Sequence, residues 1–241
     1  MSHLPIILFD FDGIIITQKS LEYTASIFLK KNFYGWKNIE NLRLIDLARI
    51  FEEADSKNRI KALLRITKIY RQYIPSLWKR YLFFLKFRRT YPKYEQFETL
   101  KPGLLKALTI FKQKGFILGI VSNTSRKRLD YFNEKLNLDE FFSVFISRDD
   151  TSYRKPNPYP INAALTKLKT KLNISINKGD VYYLGDLPQD IQCAKNARVN
   201  SIALLSGHGT KQSLENSKPS FILQEIKDIV EIEPFKKFLF N

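Results

Sequence analysis

Two aspartates and a glycine end the first apolar stretch of the chain, and these residue types suit metal and phosphate chemistry. Ile6 to Phe9 are continuously apolar, which is typical of a parallel strand covered on both faces. Asp10, Asp12 and Gly13 follow at once. A buried carboxylate is costly unless it is paired or holds a metal, and open α/β sheets bind ligands at the carboxyl ends of their strands. A strand that ends in a plain Asp-Gly turn would have the same letters, so this stretch alone supports both interpretations.

Three later stretches place further polar residues at the ends of predicted elements. Ser122 and Asn123 follow an apolar run over 116–121, Lys155 precedes a proline, and Asp186 and Asp190 follow an apolar run over 180–184. Each stretch alone is weak evidence, because serine, Lys-Pro and Gly-Asp are common in turns and loops. Together they form an ordered series at the carboxyl ends of predicted strands, which favours one shared site.

These four stretches resemble the four motifs of the haloacid dehalogenase (HAD) superfamily, whose first motif reads Asp-x-Asp-Gly-Thr. Pro102-Gly103, the loop over 207–209 and a helical block after the first strand resemble the phosphoglycolate phosphatase branch. The resemblance implies an α/β fold: a Rossmann-like core with a parallel sheet and an inserted α-helical cap domain. It places the core at residues 1–16 and 99–241 and the cap at 17–98.

The resemblance also implies roles for the acidic residues. Asp10 would be the nucleophile and form an aspartyl-phosphate, and Asp12 would act first as general acid and then as general base. Mg²⁺ would be bound by the side chains of Asp10 and Asp186 and by the backbone carbonyl of Asp12. Asp190 would support the metal or the lysine from outside the ligand set.

The remaining motif residues would handle the charge of the phosphate. Ser122 and the amide of Asn123 would hold phosphate oxygens, and Lys155 would offset the negative charge shared by Asp10 and the substrate. Ile14 departs from the pattern, because the family has threonine there. The backbone amide at that position can still face phosphate, but a hydroxyl is lost, and the rate and the geometry of the loop are in question.

The periodicity of the chain changes between the two predicted domains. Helical spacing of apolar residues predicts helices near 20–35, 42–51 and 60–70, and a fourth that Pro75 opens and Pro92 follows. From residue 101 onward, short apolar runs alternate with helical patterns, which indicates a parallel sheet with right-handed crossovers. Trp36 and Trp78 are expected in the core of the cap, and His3 is expected in solvent. His208 lies in a glycine loop on the active-site side, where it could touch substrate, but a loop histidine is more often solvated and we expect it in solvent.

Charge and cysteine content narrow the partners and the compartment. The 241 residues carry 40 Lys and Arg against 24 Asp and Glu, a formal charge of +16. Residues 17–98 hold 18 basic and 8 acidic residues, which is +10 of that excess. This segment could present a solvated helix face or attract a phosphorylated substrate, whereas nucleic acid is disfavoured. Cys193 is the lone cysteine and excludes an internal disulfide. With no apparent signal sequence or membrane helix, we expect a cytoplasmic protein.

The sequence therefore predicts a Mg²⁺-dependent phosphatase that hydrolyses a small phosphate monoester, with a phosphorylated metabolite as its partner. Halide removal is disfavoured, because dehalogenases of this superfamily lack the second aspartate of the first motif. Two alternatives remain open. One is a phosphosugar mutase of the β-phosphoglucomutase type, which shares all four motifs. The other is a catalytically silent HAD-like protein that binds anions or nucleic acid. The sequence specifies neither the substrate nor the oligomeric state.

Overall fold

A computed structural model describes residues 5–17, 31, 64, 71, 73–90, 93 and 95–239, without the side chains of 87, 88 and 90. The helices predicted near 20–35, 42–51 and 60–70 lie outside the described residues, as do Trp36 and His3. The chain divides into two compact units, one formed by Met1–Thr17 with Thr99–Asn241 and the other by Gln18–Glu98. The assignment of residues 17–98 to a cap domain stays a prediction.

The described part of the second unit includes the helix α1, at Leu77–Thr90. The helix starts after Pro75 rather than on it, because the hydroxyl of Ser76 accepts a hydrogen bond from the backbone N–H of Lys79. Trp78 is 66% exposed, so its expected place in a core is wrong. The reason is helical geometry: Phe83 and Phe84 are buried on the opposite face of α1 from Trp78.

The first unit is built on a six-stranded sheet in the order β3-β2-β1-β4-β5-β6. All five strand pairs are parallel. The order places β1 in the middle, with β2 on one side and β4 on the other, which is the Rossmann-like arrangement that the sequence predicts. The strands are β1 Ile6–Phe9, β2 Ile117–Val121, β3 Val144–Ile146, β4 Val181–Gly185, β5 Asn200–Leu204 and β6 Phe221–Leu223.

Helices cover both faces of this sheet. Alternate residues of β1 point to opposite faces: Ile7 and Phe9 belong to one buried cluster, and Ile6 and Leu8 belong to the other. A strand that is buried on both faces explains why the sequence is continuously apolar there. The helices of the first unit are α2 Leu104–Gln113, α3 Arg126–Leu136, α4 Tyr159–Leu172, α5 Pro188–Ala197, α6 Lys211–Asn216 and α7 Glu233–Leu239.

Local signals in the sequence set several helix ends. The Ser125 side chain caps α3, and Asn137 ends it in the left-handed conformation. In the part of the chain that the structure describes, short 3-10 turns lie between elements at Glu95–Phe97, Leu138–Glu140, Lys178–Asp180 and Ile226–Glu231. Among the described helices, none is both long enough and apolar enough to cross a membrane.

Candidate active site

The predicted site residues come together because three neighbouring strands end at the same edge of the sheet. Asp10 follows β1, Ser122 follows β2 and Asp186 follows β4. The backbone N–H of Asp10 donates to the carbonyl of Leu184 at 2.8 Å, so β1 and β4 remain paired up to the site. Since β1 lies between β2 and β4, polar groups from three segments face the carboxyl edge of one sheet.

Three buried carboxylates form the centre of the site. Asp10, Asp186 and Asp190 each offer an oxygen, and the three oxygens lie within 4.8 Å of one another. Buried carboxylates this close repel one another unless positive charge lies between them. Within the described part of the chain, Oδ1 of Asp10 and Oδ1 of Asp186 are buried without a hydrogen-bond partner. Oxygen donors of this kind fit a hard divalent cation, so the group could hold a metal ion.

Lys155 provides positive charge to this group. Its Nζ lies 2.6 Å from Oδ1 of Asp10 and 2.6 Å from Oδ1 of Asp190. The approach to Asp190 is an aligned hydrogen bond, whereas the approach to Asp10 is an ion pair without that alignment. The backbone N–H of Lys155 donates to Oδ1 of Asn123 at 3.1 Å, which fastens the Lys155 loop to the end of β2. Lys155 therefore connects its own loop to three other segments, which carry Asp10, Asn123 and Asp190.

Burial and mutual repulsion change the titration of these groups. Burial raises the pKa of Asp10 well above its ordinary value, and the charges of Asp190 and Asp186 add to that rise while Lys155 opposes it. Burial also raises the pKa of Asp190, again opposed by Lys155. Burial alone would lower the pKa of Lys155, but the two carboxylates raise it well above its ordinary value. The lysine is thus held as an ammonium ion, while the carboxylates lack enough positive charge nearby.

Asp186 has a second partner that sequence reasoning missed. His208 was expected in solvent, but its side chain is only 5% exposed and this expectation is wrong. Oδ2 of Asp186 accepts from the backbone N–H of His208 at 2.6 Å and lies 2.8 Å from Nδ1 of the ring. Burial raises the pKa of Asp186, but the contacts with His208 outweigh it and lower the pKa below its ordinary value.

Two glycines allow the loops to approach Asp186 this closely. A Cβ at Gly13 would collide with Oδ2 of Asp186 and with the His208 ring, and a Cβ at Gly207 would collide with the Asp186 side chain. Gly13 also has a φ of +77°, which favours glycine. Glycine is therefore required after Asp12 for two reasons. It adopts the positive φ of the turn, and it leaves room for the side chain of Asp186, a candidate metal ligand.

Lys101 was also missed, and it connects the same loops. Its Nζ donates to the carbonyl of Gly13 at 2.6 Å and to the carbonyl of Ser206 at 2.7 Å. Burial lowers the pKa of Lys101, against the opposing charges of Asp186 and Glu225. This side chain fixes the loop after β1 against the loop after β5.

The Asp12 side chain lies apart from the three-carboxylate group and pairs with Arg128 of α3. Nη1 of Arg128 donates to Oδ1 and Oδ2 of Asp12 at 2.7 and 2.9 Å. Sequence reasoning missed Arg128, since nothing in the local pattern marks it among its neighbours on the helix. The pairing leaves the Asp12 carboxylate 35% exposed, so it is accessible from solvent.

The remaining predicted residues are buried near the strand ends. Ser122 and Asn123 are both buried, and the Ser122 hydroxyl accepts a hydrogen bond from the backbone N–H of Thr124 at 3.1 Å. Ile14 is fully buried and belongs to the main core cluster. The isoleucine side chain therefore fills core volume where the family motif has a hydroxyl.

Comparisons with known proteins agree with this architecture. The phosphoglycolate phosphatase of Escherichia coli K12 is 30% identical over 131 residues, which is 54% of this chain and 50% of that protein. The pyrophosphatase PpaX of Bacillus mycoides is 23% identical over 226 residues, 94% of this chain and 95% of that protein. The crystal structure of a predicted phosphoglycolate phosphatase from Haemophilus somnus has a TM-score of 0.68 at 20% identity, covering 96% of this chain and 98% of that one.

These matches differ in what they cover. The match to the Escherichia coli enzyme spans only about half of its length, and the likeness to the solved structure concerns the fold. The sequence model of the haloacid dehalogenase-like hydrolases matches residues 7–204, from β1 to the end of β5. With that match over most of its length, the chain belongs to the haloacid dehalogenase-like hydrolase family.

Proposed function

We propose that the protein is a Mg²⁺-dependent phosphatase that hydrolyses a small phosphate monoester through an aspartyl-phosphate at Asp10. One observation carries this proposal: the Asp10 carboxylate is buried beside the Lys155 ammonium, and its oxygen lies within 4.8 Å of oxygens of two further buried carboxylates, Asp186 and Asp190. A purely structural cluster would not keep three buried carboxylates this close together, because their mutual repulsion calls for more positive charge. The names of the relatives, a phosphoglycolate phosphatase and a pyrophosphatase, agree with chemistry at phosphorus.

The carboxylates of Asp10 and Asp186, with the backbone carbonyl of Asp12, would hold the metal ion. When bound, Mg²⁺ supplies positive charge that neutralises the phosphate oxygens. The close approach of the Asp10 and Asp186 oxygens supports this assignment, as does Oδ1 of Asp186, which is buried without a hydrogen-bond partner among the described residues. Asp190 is directed to Lys155 by a hydrogen bond, which supports a role in holding the lysine rather than the ion.

Asp10 would attack phosphorus and expel the substrate alkoxide. Lys155 reduces the repulsion between the incoming phosphate and the Asp10 carboxylate, because its ammonium is already in contact with that carboxylate. The Ser122 hydroxyl and the Asn123 amide would bind phosphate oxygens at the end of β2. Asn123 is well suited to keep this geometry, since its side-chain oxygen is fixed by the Lys155 backbone.

Asp12 would transfer the protons of the reaction. In the first step it would protonate the leaving alkoxide, and in the second it would remove a proton from the attacking water. Its partly exposed carboxylate supports this role, because the proton has to reach both a leaving group and a water molecule. We also infer a cytoplasmic location, for which the lone, reduced and buried thiol of Cys193 is the support.

A turnover assay separates this function from a silent binding protein. Purified protein with Mg²⁺ should release phosphate from p-nitrophenyl phosphate and, faster, from at least one member of a panel of small phosphorylated metabolites. The matched control is Asp10→Asn, which keeps the shape of the side chain but removes the nucleophile. Equal and negligible release by the wild type and by this variant, over the whole panel, would refute the proposal. Isomerisation of a sugar phosphate without net phosphate release would favour the mutase.

A further inference from the structure

We infer that Arg128 is a positioning residue for Asp12 in the hydrolytic step, an inference that rests on the proposed function. Arg128 is the first-turn residue of α3 whose backbone N–H is bound by the capping Ser125 side chain. Its guanidinium holds both oxygens of the Asp12 carboxylate with one nitrogen. Arg128 acts through Asp12 and not on the substrate.

The guanidinium is fixed from several sides. Nη1 carries two hydrogens, and besides Asp12 it lies 3.1 Å from the hydroxyl oxygen of Thr124, at the end of the β2 loop. The guanidinium carbon lies 5.6 Å from the ring centre of Phe11 and 5.2 Å from that of Phe132. Both rings are fully buried and in contact with each other. Cation–π contacts of this kind hold an arginine head in place.

A fixed arginine also fixes the carboxylate that it binds. Asp12 is 35% exposed and would otherwise sample other rotamers, whereas the Arg128 side chain is 15% exposed. The hydrogen bonds to both oxygens define the position and the plane of the carboxylate. A proton-transfer group works only when it is held within hydrogen-bond reach of its proton.

The hydrogen-bond donors of Arg128 favour the hydrolytic step over the formation of the phosphoenzyme. Arginine only donates, so the clamp binds Asp12 as an acceptor on both oxygens. In the hydrolytic step an oxygen of Asp12 accepts a proton from water, the water oxygen bonds to phosphorus, and the bond from phosphorus to Asp10 breaks with its electron pair returning to Asp10. In the first step Asp12 has to donate a proton, and a donor held against both oxygens gives no help there. Loss of Arg128 should therefore slow hydrolysis of the phosphoenzyme more than its formation.

The test uses full-length protein with saturating Mg²⁺ and p-nitrophenyl phosphate. Arg128→Met keeps the apolar stem over Phe11 and Phe132 but cannot donate, and Arg128→Lys keeps the charge but not the planar donor geometry. Lys127→Ala is the control, because it removes an exposed cation from the same helical turn. We expect kcat of Arg128→Met to fall about 10-fold to 10²-fold and KM to fall with it, while kcat/KM, which reports formation of the phosphoenzyme, changes less than about twofold. Lys127→Ala should behave as wild type.

Two further readouts separate positioning from a general structural effect. Intact-protein mass in the steady state should show a larger phosphorylated fraction in Arg128→Met than in wild type. Arg128→Met should cause no further loss when combined with Asp12→Asn, since a residue that acts through Asp12 has nothing left to position. Guanidinium ion added to an Arg128→Ala variant, in which the truncated side chain leaves room for it, should restore part of the rate.

Each outcome is decisive. A raised KM at unchanged kcat, or additive losses in the double variant, would overturn the inference, because Arg128 would then contact substrate or act elsewhere. If thermal unfolding shows that Arg128→Met is not folded, the same assays are carried out on Arg128→Lys, and its kinetics test the inference. An active wild type, an impaired Asp12→Asn and a fully active Arg128→Met would refute this inference alone. A wild type that releases no phosphate would refute it together with the proposed function.

Discussion

Lys155 donates a hydrogen bond to Asp190 at 2.6 Å, although 35 positions separate the two residues in the chain. The Lys155 side chain is 2% exposed and that of Asp190 is fully buried. Asp190 is itself fixed, because its other oxygen accepts from the backbone N–H of Leu187 at 2.9 Å at the start of α5. The direction of the Lys155 ammonium, and so its contact with Asp10, depends on how α5 begins.

Replacing Lys155 by methionine should remove turnover and destabilise the fold. The change leaves Asp10 and Asp190 buried without their cation, and breaking a buried pair costs about 3–5 kcal/mol. The free energy of unfolding in urea, measured without metal, should show this loss. Lys155→Met combined with Asp190→Asn should regain part of the stability but no activity, because one uncompensated charge is gone. Lys167→Met, at an exposed position of α4, is the control. Full stability of the single variant would contradict the ion-pair assignment.

The two aspartates of the first motif should fail in different steps. Asp10→Asn should neither turn over nor take up phosphate. Asp12→Asn should slow the second step by about 10²-fold to 10⁴-fold, since water needs a base, whereas nitrophenolate needs little protonation to leave. Rapid-quench kinetics should show a burst approaching one nitrophenol per active site, and intact mass should show phospho-Asp10. Steady turnover of Asp12→Asn at the wild-type rate, or phosphate on another residue, would rule out this division of roles.

Metal removal should affect both activity and stability. Asp10 and Asp186 each place a buried oxygen within 4.8 Å of the other and of Asp190, so EDTA should abolish turnover, and Mg²⁺ should restore it. Ca²⁺ should inhibit, because its looser coordination misaligns the phosphate. Mg²⁺ without substrate should raise the thermal unfolding midpoint, as any ligand of the native state does. Asp186→Asn should lose that increase. Turnover that persists in excess EDTA would contradict the metal assignment.

Cys193 should be unreactive in the folded protein. Burial raises the pKa of its thiol to about 12, from an ordinary value of 9.0, and the thiol contacts the carbonyl of Asn157 at 3.1 Å. Iodoacetamide at pH 8.5 should therefore label the protein in urea but not in native buffer. Since the native state keeps the proton longer, the stability from this group is complete below pH 9 and falls as the pH rises from there towards 12. Cys193→Ser should flatten that fall, and native labelling at pH 8.5 would contradict the assignment.

Local sequence signals predict the sheet and the strand-end acids well. β1 is apolar on both faces because it lies in the middle of the sheet, and its carboxyl end can be read directly from Asp10. The partners of these acids leave no such trace. Arg128, His208 and Lys101 reach the site from α3, from the β5 loop and from the start of α2, and only the folded chain shows that they meet Asp12, Asp186 and Gly13.

Trp78 illustrates the opposite error. A large apolar residue in a helical pattern is a good candidate for a core, but the period alone does not show which face of the helix is covered. In α1 the buried face carries Phe83, Phe84 and Arg80. The ring centre of Trp78 lies 5.8 Å from that of the partly exposed Tyr81. An apolar stripe thus gave the helix correctly and its covered face wrongly.

The chain leaves the first unit after Thr17 and returns to it at Thr99, and these two residues are hydrogen-bonded to each other. The backbone N–H of Thr17 donates to the carbonyl of Thr99 at 2.8 Å, and the N–H of Thr99 donates to the Thr17 hydroxyl at 3.2 Å. Ile16 and Leu100, next to them, form an antiparallel bridge. The 81 residues between the two threonines are therefore joined to the first unit by two adjacent, hydrogen-bonded chain segments.

A connection of this kind allows the inserted segment, residues 18–98, to be replaced by another. Since the ends are already held side by side, each doubling of the length of the loop costs only about 0.6 kcal/mol more to close, because loop-closure entropy grows with the logarithm of length. A tight two-residue turn could replace residues 18–98, or a different domain could be grafted at the same stem, without moving Asp10 relative to Asp186. Evolution and protein engineering can thus exchange the inserted segment while leaving the carboxylates where they are.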